Sequence, residues 1–151
     1  MAKDIRETER LRKIFCNCFV CSKTNPQGLH LDVDFADGKS HAEFVPYQHM
    51  EGLAGLMHGG FSMMLMDEVM YYAIESHGIN PVSLNINIDF ISPAILTHRM
   101  CAEGNVEKID GKKVYTTGRL FDMETGKDIV TAKALYYEVD MTQFLPNGLA
   151  E

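Results

Sequence analysis

The 151 residues carry a net charge of −7, with 46% hydrophobic and 23% charged side chains. That length suits one domain with a single core, and the acidic balance argues against a general nucleic-acid binder. It does not exclude an anionic small ligand, which needs only a local basic patch or a helix N-terminus.

Met1 to Lys13 is charged and has no apolar stretch of the kind a secretory signal needs, and Asp4, Glu7 and Glu9 do not suit a mitochondrial transit peptide. The longest apolar run, Phe61 to Ile74, is too short to cross a bilayer and contains Asp67 and Glu68. A cytoplasmic protein with neither a membrane nor a nucleic-acid partner is expected, as one domain over residues 1–151.

In chain order, Asp4 to Ile14 places Ile5, Leu11 and Ile14 behind a capping Asp and predicts a short helix. Cys16 to Gly28 contains Asn25-Pro26 and reads as a loop. Residues 1–28 thus form a helix and a cysteine-containing loop ahead of the main pattern. Cys16, Cys18 and Cys21 crowd into Cys-Asn-Cys-Phe-Val-Cys, and Cys101 stands apart. Without a secretory signal a disulfide framework is not expected. A zinc site would need a fourth ligand such as Cys101 or His30. Reduced thiols, some of them buried, are the simpler expectation, and no metal or other cofactor is assigned.

Leu29 to Phe35 alternates apolar and polar residues and predicts a strand, turned at Asp37-Gly38 into a second over Ser40 to Val45. Pro46 to Met57 is irregular. From Gly59 to about His77 the chain is apolar almost all round, which predicts a buried helix about 27 Å long, ended by Gly78 and Pro81. Four long strands follow: Val82 to Ile91, Arg99 to Ile109, Lys112 to Asp122 and Asp128 to Val139, with turns at Asp110-Gly111 and Thr125-Gly126. Their alternation predicts an antiparallel sheet with one buried face. An apolar sheet face and an apolar helix cover each other, so the expected class is α+β: about six strands wrapped around one central helix.

The chemistry concentrates where the chain enters that helix. In Glu51-Gly52-Leu53-Ala54-Gly55-Leu56-Met57-His58-Gly59-Gly60, the glycines permit a sharp turn and close approach of a ligand to bare N–H groups. The first N–H groups of a helix lack internal partners and sit at the positive end of its dipole, where a carbonyl turning into an oxyanion is stabilised. Glycines at that place also serve plain packing against the sheet. Within the helix, Asp67 is a carboxylate among apolar neighbours, which is costly unless paired or functional. Glu68 is its competitor. Asp67 is favoured because Glu68 shares a stripe with Glu75 that reads as the wetter face. His49, His77 and His98 read as solvated.

His58-Gly59-Gly60 at the start of a buried helix, with Asp67 nine positions after the His, resembles the hotdog-fold thioesterases of the phenylacetate-pathway and acyl-CoA type. The resemblance runs from Cys-Phe-Val-Cys and Asn25-Pro26-Gln27-Gly28-Leu29 to the last strand. Glu51-Gly52 and Gly55 look like the branch of mitochondrial long-chain acyl-CoA thioesterases. It implies hydrolysis of acyl-CoA to acid and CoA. The Gly59 N–H would polarise the thioester carbonyl, and Asp67 would activate water or attack directly. His58 would shape the entrance, and Ser83, where that branch has Thr, would bond the water or the carboxylate. Gly60, Met63, Met64, Glu68 and Tyr71 are the candidates for contact with substrate. Some relatives carry Asn or Gln six residues before the His, where this chain has Gly52. Ser83 falls on the polar face of its strand by strict alternation.

Gly59 and Asp67 are eight residues apart, about 12 Å along one helix. One water and one carbonyl cannot be within about 3 Å of both. Two copies paired antiparallel would bring Asp67 of one to Gly59 of the other, so a two-fold homodimer with composite sites is expected, with Val82 to Ile91 pairing across the axis. The resemblance implies a further tetramer. Other readings are a non-catalytic acyl-CoA binding or sensing module, a dehydratase or hydratase of the same fold, and a small metal protein.

Overall fold

The computed structural model describes residues 14–15 and 17–143. The expected N-terminal helix lies outside them except for its last residue, as does Cys16. The elements are β1 (Asp34–Ala36), β2 (Lys39–Phe44), α1 (Gly59–Glu75), β3 (Pro81–Phe90), β4 (Met100–Asp110), β5 (Lys113–Asp122) and β6 (Asp128–Glu138), with short 3-10 turns at Gln48–Met50 and Met141–Gln143. The six strands form one sheet in the order β1-β2-β4-β5-β6-β3, and every neighbouring pair is antiparallel. The sheet curls round α1 in the hotdog arrangement. Among the described residues no helix is long and apolar enough to cross a membrane.

Alternation in the strands and all-round apolarity in α1 meet in one core. Leu65, Met66, Val69, Met70, Ala73 and Ile74 of the helix have no exposed surface, and Met100, Ala102, Val114, Leu120 and Val130 of the sheet have none either. Small residues set the spacing. A Cβ on Gly104 of β4 would overlap the Val69 carbonyl of α1, so only glycine lets strand and helix approach this closely. Ser40, opposite Gly104 in the β2–β4 ladder, donates its hydroxyl to the same carbonyl at 2.5 Å.

The second side of α1 is covered by the N-terminal segment. Phe15 packs on Tyr71 and Tyr72, and Phe35 packs on Tyr72. This segment also explains why the first strand is shorter than expected. The N–H groups of Leu29 and Leu31 are taken by the carbonyls of Phe19 and Val20, and His30 adopts a φ of 53°. Leu29, Leu31 and Val33 keep the expected alternation and are buried, but the ladder begins only at Asp34. The Asp37-Gly38 turn has positive φ at both residues, as a two-residue hairpin requires.

Three expectations need correction. Helix α1 ends at Glu75, two residues early, because the Ser76 hydroxyl donates to the Ala73 carbonyl while accepting from the Gly38 N–H. In β3 the alternation breaks. A bulge between Ser83 and Asn85 ejects Leu84, which is 57% exposed instead of sharing a face with Ile86 and Ile88. His98 is not simply solvated either: its Nδ1 lies 2.6 Å from Asp122 Oδ2, and the same carboxylate accepts the Glu124 and Thr125 N–H groups of the β5–β6 turn.

Gly104→Ala is expected to cost about 2–3 kcal/mol by overpacking helix against sheet, measured by urea denaturation. A loss within about 0.5 kcal/mol would show that the helix moves freely on the sheet.

Candidate active site

The helix entrance is held by backbone bonds. The Glu51 carboxylate accepts the Gly55 N–H at 2.6 Å and closes the loop that spacing left irregular. The Gly52 N–H donates to the Leu56 carbonyl, and the His58 N–H donates to the Met50 carbonyl. A Cβ on Gly52 would press on His58 Cα at 3.0 Å, so a side chain at the position where some relatives place Asn or Gln would need His58 to shift by a few tenths of an ångström. His58 is the N-cap, at φ −59° and ψ 132°, and its Nδ1 accepts the Gly60 N–H at 2.9 Å. That cap satisfies the second helix N–H. The Gly59 N–H makes no hydrogen bond among the described residues and stands at the positive end of the helix dipole.

A cleft of about 700 Å³ opens at this point, lined by Leu53, Leu56, Gly59, Phe90, Ile91 and Ile129 among others. It is mainly apolar, with a bare N–H at one wall. A Cβ on Gly59 would come within 3.0 Å of the Phe90 ring, so the glycine keeps the N–H accessible beside that ring. The arrangement can bind an apolar group and polarise a carbonyl oxygen set against Gly59.

Asp67 stands two turns along α1 and is half-buried. Its Oδ1 accepts the Tyr136 hydroxyl at 2.7 Å, and the same hydroxyl lies 3.1 Å from the Asp67 carbonyl. Burial, then the Asp67 charge, raises the Tyr136 phenol above its ordinary range, so the phenol stays a donor. The sequence reading missed Tyr136. Its signal was a tyrosine on the inward phase of the last strand, whose hydroxyl must find a partner when buried.

The β3 bulge changes the place of Ser83. Directly paired residues share a sheet face, and Ser83 lies opposite Tyr136, as Ile86 lies opposite Ala134 and Ile88 opposite Ala132. Ser83 is therefore on the face that carries the Asp67 partner, not on the outer face that strict alternation gave it. Gly60, Met63, Met64, Asp67 and Tyr71 form one stripe along α1. It is only partly covered, and Met63 is 50% exposed. Of these, none lines the cleft beside Gly59 within a single chain.

Glu68 and Glu75 overturn the expectation of a wetter face. Glu68 is 9% exposed and Glu75 fully buried, and the N-terminal segment covers Glu68 through Cys18 and Cys21. Glu68 faces Cys18 and Cys21 instead of the cleft. Burial, then the Cys18 charge, pushes its carboxyl up to about 8. A hydrogen bond from Cys21 holds the Cys18 thiol down at about 6, and the Cys21 thiol is raised by the same bond and by burial.

A family model described as the thioesterase superfamily matches residues 54–129, half of the chain. Acyl-coenzyme A thioesterase THEM4 of Rattus norvegicus is 26% identical over 92 residues, which are 61% of this chain and 40% of that protein. Zebrafish thioesterase superfamily member 2 superimposes with a TM-score of 0.75 at 20% identity, covering 91% of this chain and 100% of that one. A hypothetical thioesterase from Streptococcus pneumoniae TIGR4, solved with coenzyme A, gives 0.69 at 16% identity, covering 72% and 88%. The chain spans between 40% and 57% of the length of the curated relatives it matches.

Tyr136→Phe removes the partner of Asp67 Oδ1 and is expected to cost about 1–2 kcal/mol in urea denaturation. A loss below about 0.5 kcal/mol would mean that water replaces the phenol without penalty.

Proposed function

We propose, for a chain that belongs to the thioesterase superfamily, that it hydrolyses acyl-CoA thioesters to free acid and CoA. The observation that carries this reading is the bare Gly59 N–H opening onto an apolar cleft at the positive end of α1. A thioester carbonyl set there gains charge as it becomes tetrahedral, and a fixed N–H stabilises that charge without reorganisation. The acyl chain would lie against Leu53, Phe90 and Ile91. The similarity to an acyl-coenzyme A thioesterase and to a structure containing coenzyme A supports CoA as the leaving group.

Asp67 is the base or the nucleophile in this reading. With Oδ1 held by Tyr136, Oδ2 is left to take a proton from water as that water attacks the carbonyl carbon. The C–S bond then breaks, and the thiolate leaves and is protonated. In the nucleophilic version, Oδ2 attacks the carbonyl carbon, the C–S bond breaks and CoA leaves as the thiolate to be protonated, and water then hydrolyses the resulting anhydride to the acid and the free Asp67 carboxylate. Tyr136 positions the carboxylate, Ser83 lies on the face where it can bond the water, and His58 holds the helix entrance. No metal or other cofactor takes part in this chemistry.

The site is completed by a second copy. About 12 Å of helix separates Gly59 from Asp67, too far for both to serve one thioester. The partly covered stripe of Met63, Met64, Asp67 and Tyr71 is apolar enough to be buried by a partner. Strand β3 is a sheet edge, paired only with β6, and leaves Leu84 and Phe90 more than half exposed. Pairing of β3 with its own copy would cover that edge, turn the stripe toward the other subunit's cleft and bring Met63, Met64 and Tyr71 to the substrate. Further pairing to a tetramer and a cytoplasmic place are part of the same proposal.

The test is thiol release from short, aromatic and long acyl-CoAs. Relative to Gly59→Ala, which adds the same Cβ beside the Phe90 ring but keeps the N–H, Gly59→Pro deletes one N–H, and the His58 backbone already suits a following proline. It should lower kcat by about 10²–10³, and Asp67→Asn by about 10²–10⁴. Each variant alone is then nearly inactive. Refolded together one to one, they should recover about a quarter of the wild-type rate, because half the dimers hold one intact composite site. No recovery on mixing would exclude sites shared between copies. Binding of an acyl-CoA without turnover would favour a sensing module.

A further inference from the structure

A second group of reactive side chains lies one helix face away from Asp67 and takes no part in the chemistry above. The Cys18 and Cys21 thiols and a Glu68 carboxylate oxygen all lie within 4.8 Å of one another. Cys18 Sγ is 3.9 Å from Glu68 Oε1 across 50 positions of sequence. The geometry points to a metal site: Cys18, Cys21 and Glu68 bind one zinc(II) ion that fastens the N-terminal segment to α1.

The donor set fits that ion. Zinc takes thiolate and carboxylate ligands together, and a Cys-x-x-Cys pair is its commonest local grip. Donors on a tetrahedral zinc, with bonds of about 2.0–2.3 Å, stand roughly 3.5–3.8 Å apart. The three atoms here need close by no more than about 1 Å, within reach of side-chain rotation. Three protein ligands leave the fourth position to water.

The surroundings are arranged for bound sulfur. The Ser22 N–H bonds the Cys18 carbonyl at 3.1 Å and closes the turn that carries both thiols. The Tyr72 hydroxyl lies 3.3 Å from Cys21 Sγ. Such outer donors orient thiolate ligands and spread their charge. Glu68 supplies an independent sign. It is a buried carboxylate beside two thiols, and none of the ion pairs among the described residues involves it.

The partners that sequence alone offered the cysteines are elsewhere. Cys101 is buried in β4, and His30 Nε2 sits 2.5 Å from the Asn25 carbonyl. The third ligand is Glu68, which no spacing rule connects to the cysteine pair. The site would tether the loop that covers α1 at the position next to Asp67, and its binding does not depend on any reaction at Gly59.

The full chain, purified without chelator under reducing conditions, should contain about one zinc per chain by elemental mass spectrometry. Metal-stripped, reduced wild type titrated with cobalt(II) should develop thiolate-to-metal charge-transfer absorption that saturates at about one equivalent. Glu68→Gln should weaken zinc retention against a competing chelator by more than about tenfold. The paired change Cys18→Ser with Cys21→Ser should abolish the cobalt band. The cobalt titration uses wild type only, so it stands even if a variant fails to fold. Folded, reduced wild type that holds no zinc and gives no charge-transfer band would overturn the site. So would a Cys18–Cys21 disulfide found after thiol trapping at lysis, or metal uptake that persists in the double serine variant. Each readout is independent of acyl-CoA turnover, so loss of the thioesterase reading would leave it in place.

Discussion

Helix α1 carries so few polar side chains that it must be covered on nearly every side, and the rest of the chain is arranged around that need. One side meets the sheet, where Gly104 and Ser40 let the Val69 carbonyl come down onto β2 and β4. A second side meets the N-terminal segment, through Phe15, Cys21 and Phe35 against Tyr71 and Tyr72. A third side, the stripe through Met63 and Asp67, stays partly open in one chain. Leaving that apolar surface in water carries a cost, which is why the proposed second copy is placed there.

The same constraint sorts the three carboxylates of α1. Asp67 falls at the border of the covered and open sides, where Tyr136 binds one oxygen and the other stays accessible. Glu68 lies under the N-terminal segment, and Glu75 is fully buried. Glu75 receives the Tyr71 hydroxyl at 3.3 Å, and Glu68 meets the two thiols. Neighbours in sequence thus face different solvents, because successive residues on a helix point about 100° apart. One carboxylate stands at the partly open side, and the next lies against the two thiols of the cover.

A single inserted residue has a comparable effect on the sheet. The bulge at Leu84 reverses the phase of β3, brings Ser83 to the face of Tyr136 and leaves an apolar side chain on the sheet edge. Edges and bulges near a site commonly re-aim one side chain, and here one bulge both re-aims Ser83 and prepares the β3 edge.

The α+β architecture, the six strands, the turns at Asp37-Gly38 and Thr125-Gly126 and the buried helix beginning at Gly59 could be read from the residues. They rest on periodicity, turn chemistry and glycine placement, all local properties of the chain. That His58 caps the helix through the Gly60 N–H was not read from the sequence, although the bond spans only two positions. Tertiary structure decided which face of α1 is wet. The Glu68–Glu75 stripe looked solvated because nothing local says that Cys18 and Cys21 come to lie against Glu68. It also decided that Tyr136 holds Asp67 across 69 positions, and that Glu68 meets Cys18 across 50. The first strand was overextended for the same cause, its N–H groups being claimed by a segment ten residues earlier. Local patterns specify which elements form. The pairing of distant polar groups depends on which surfaces the packed elements bring together, and that is a property of the fold.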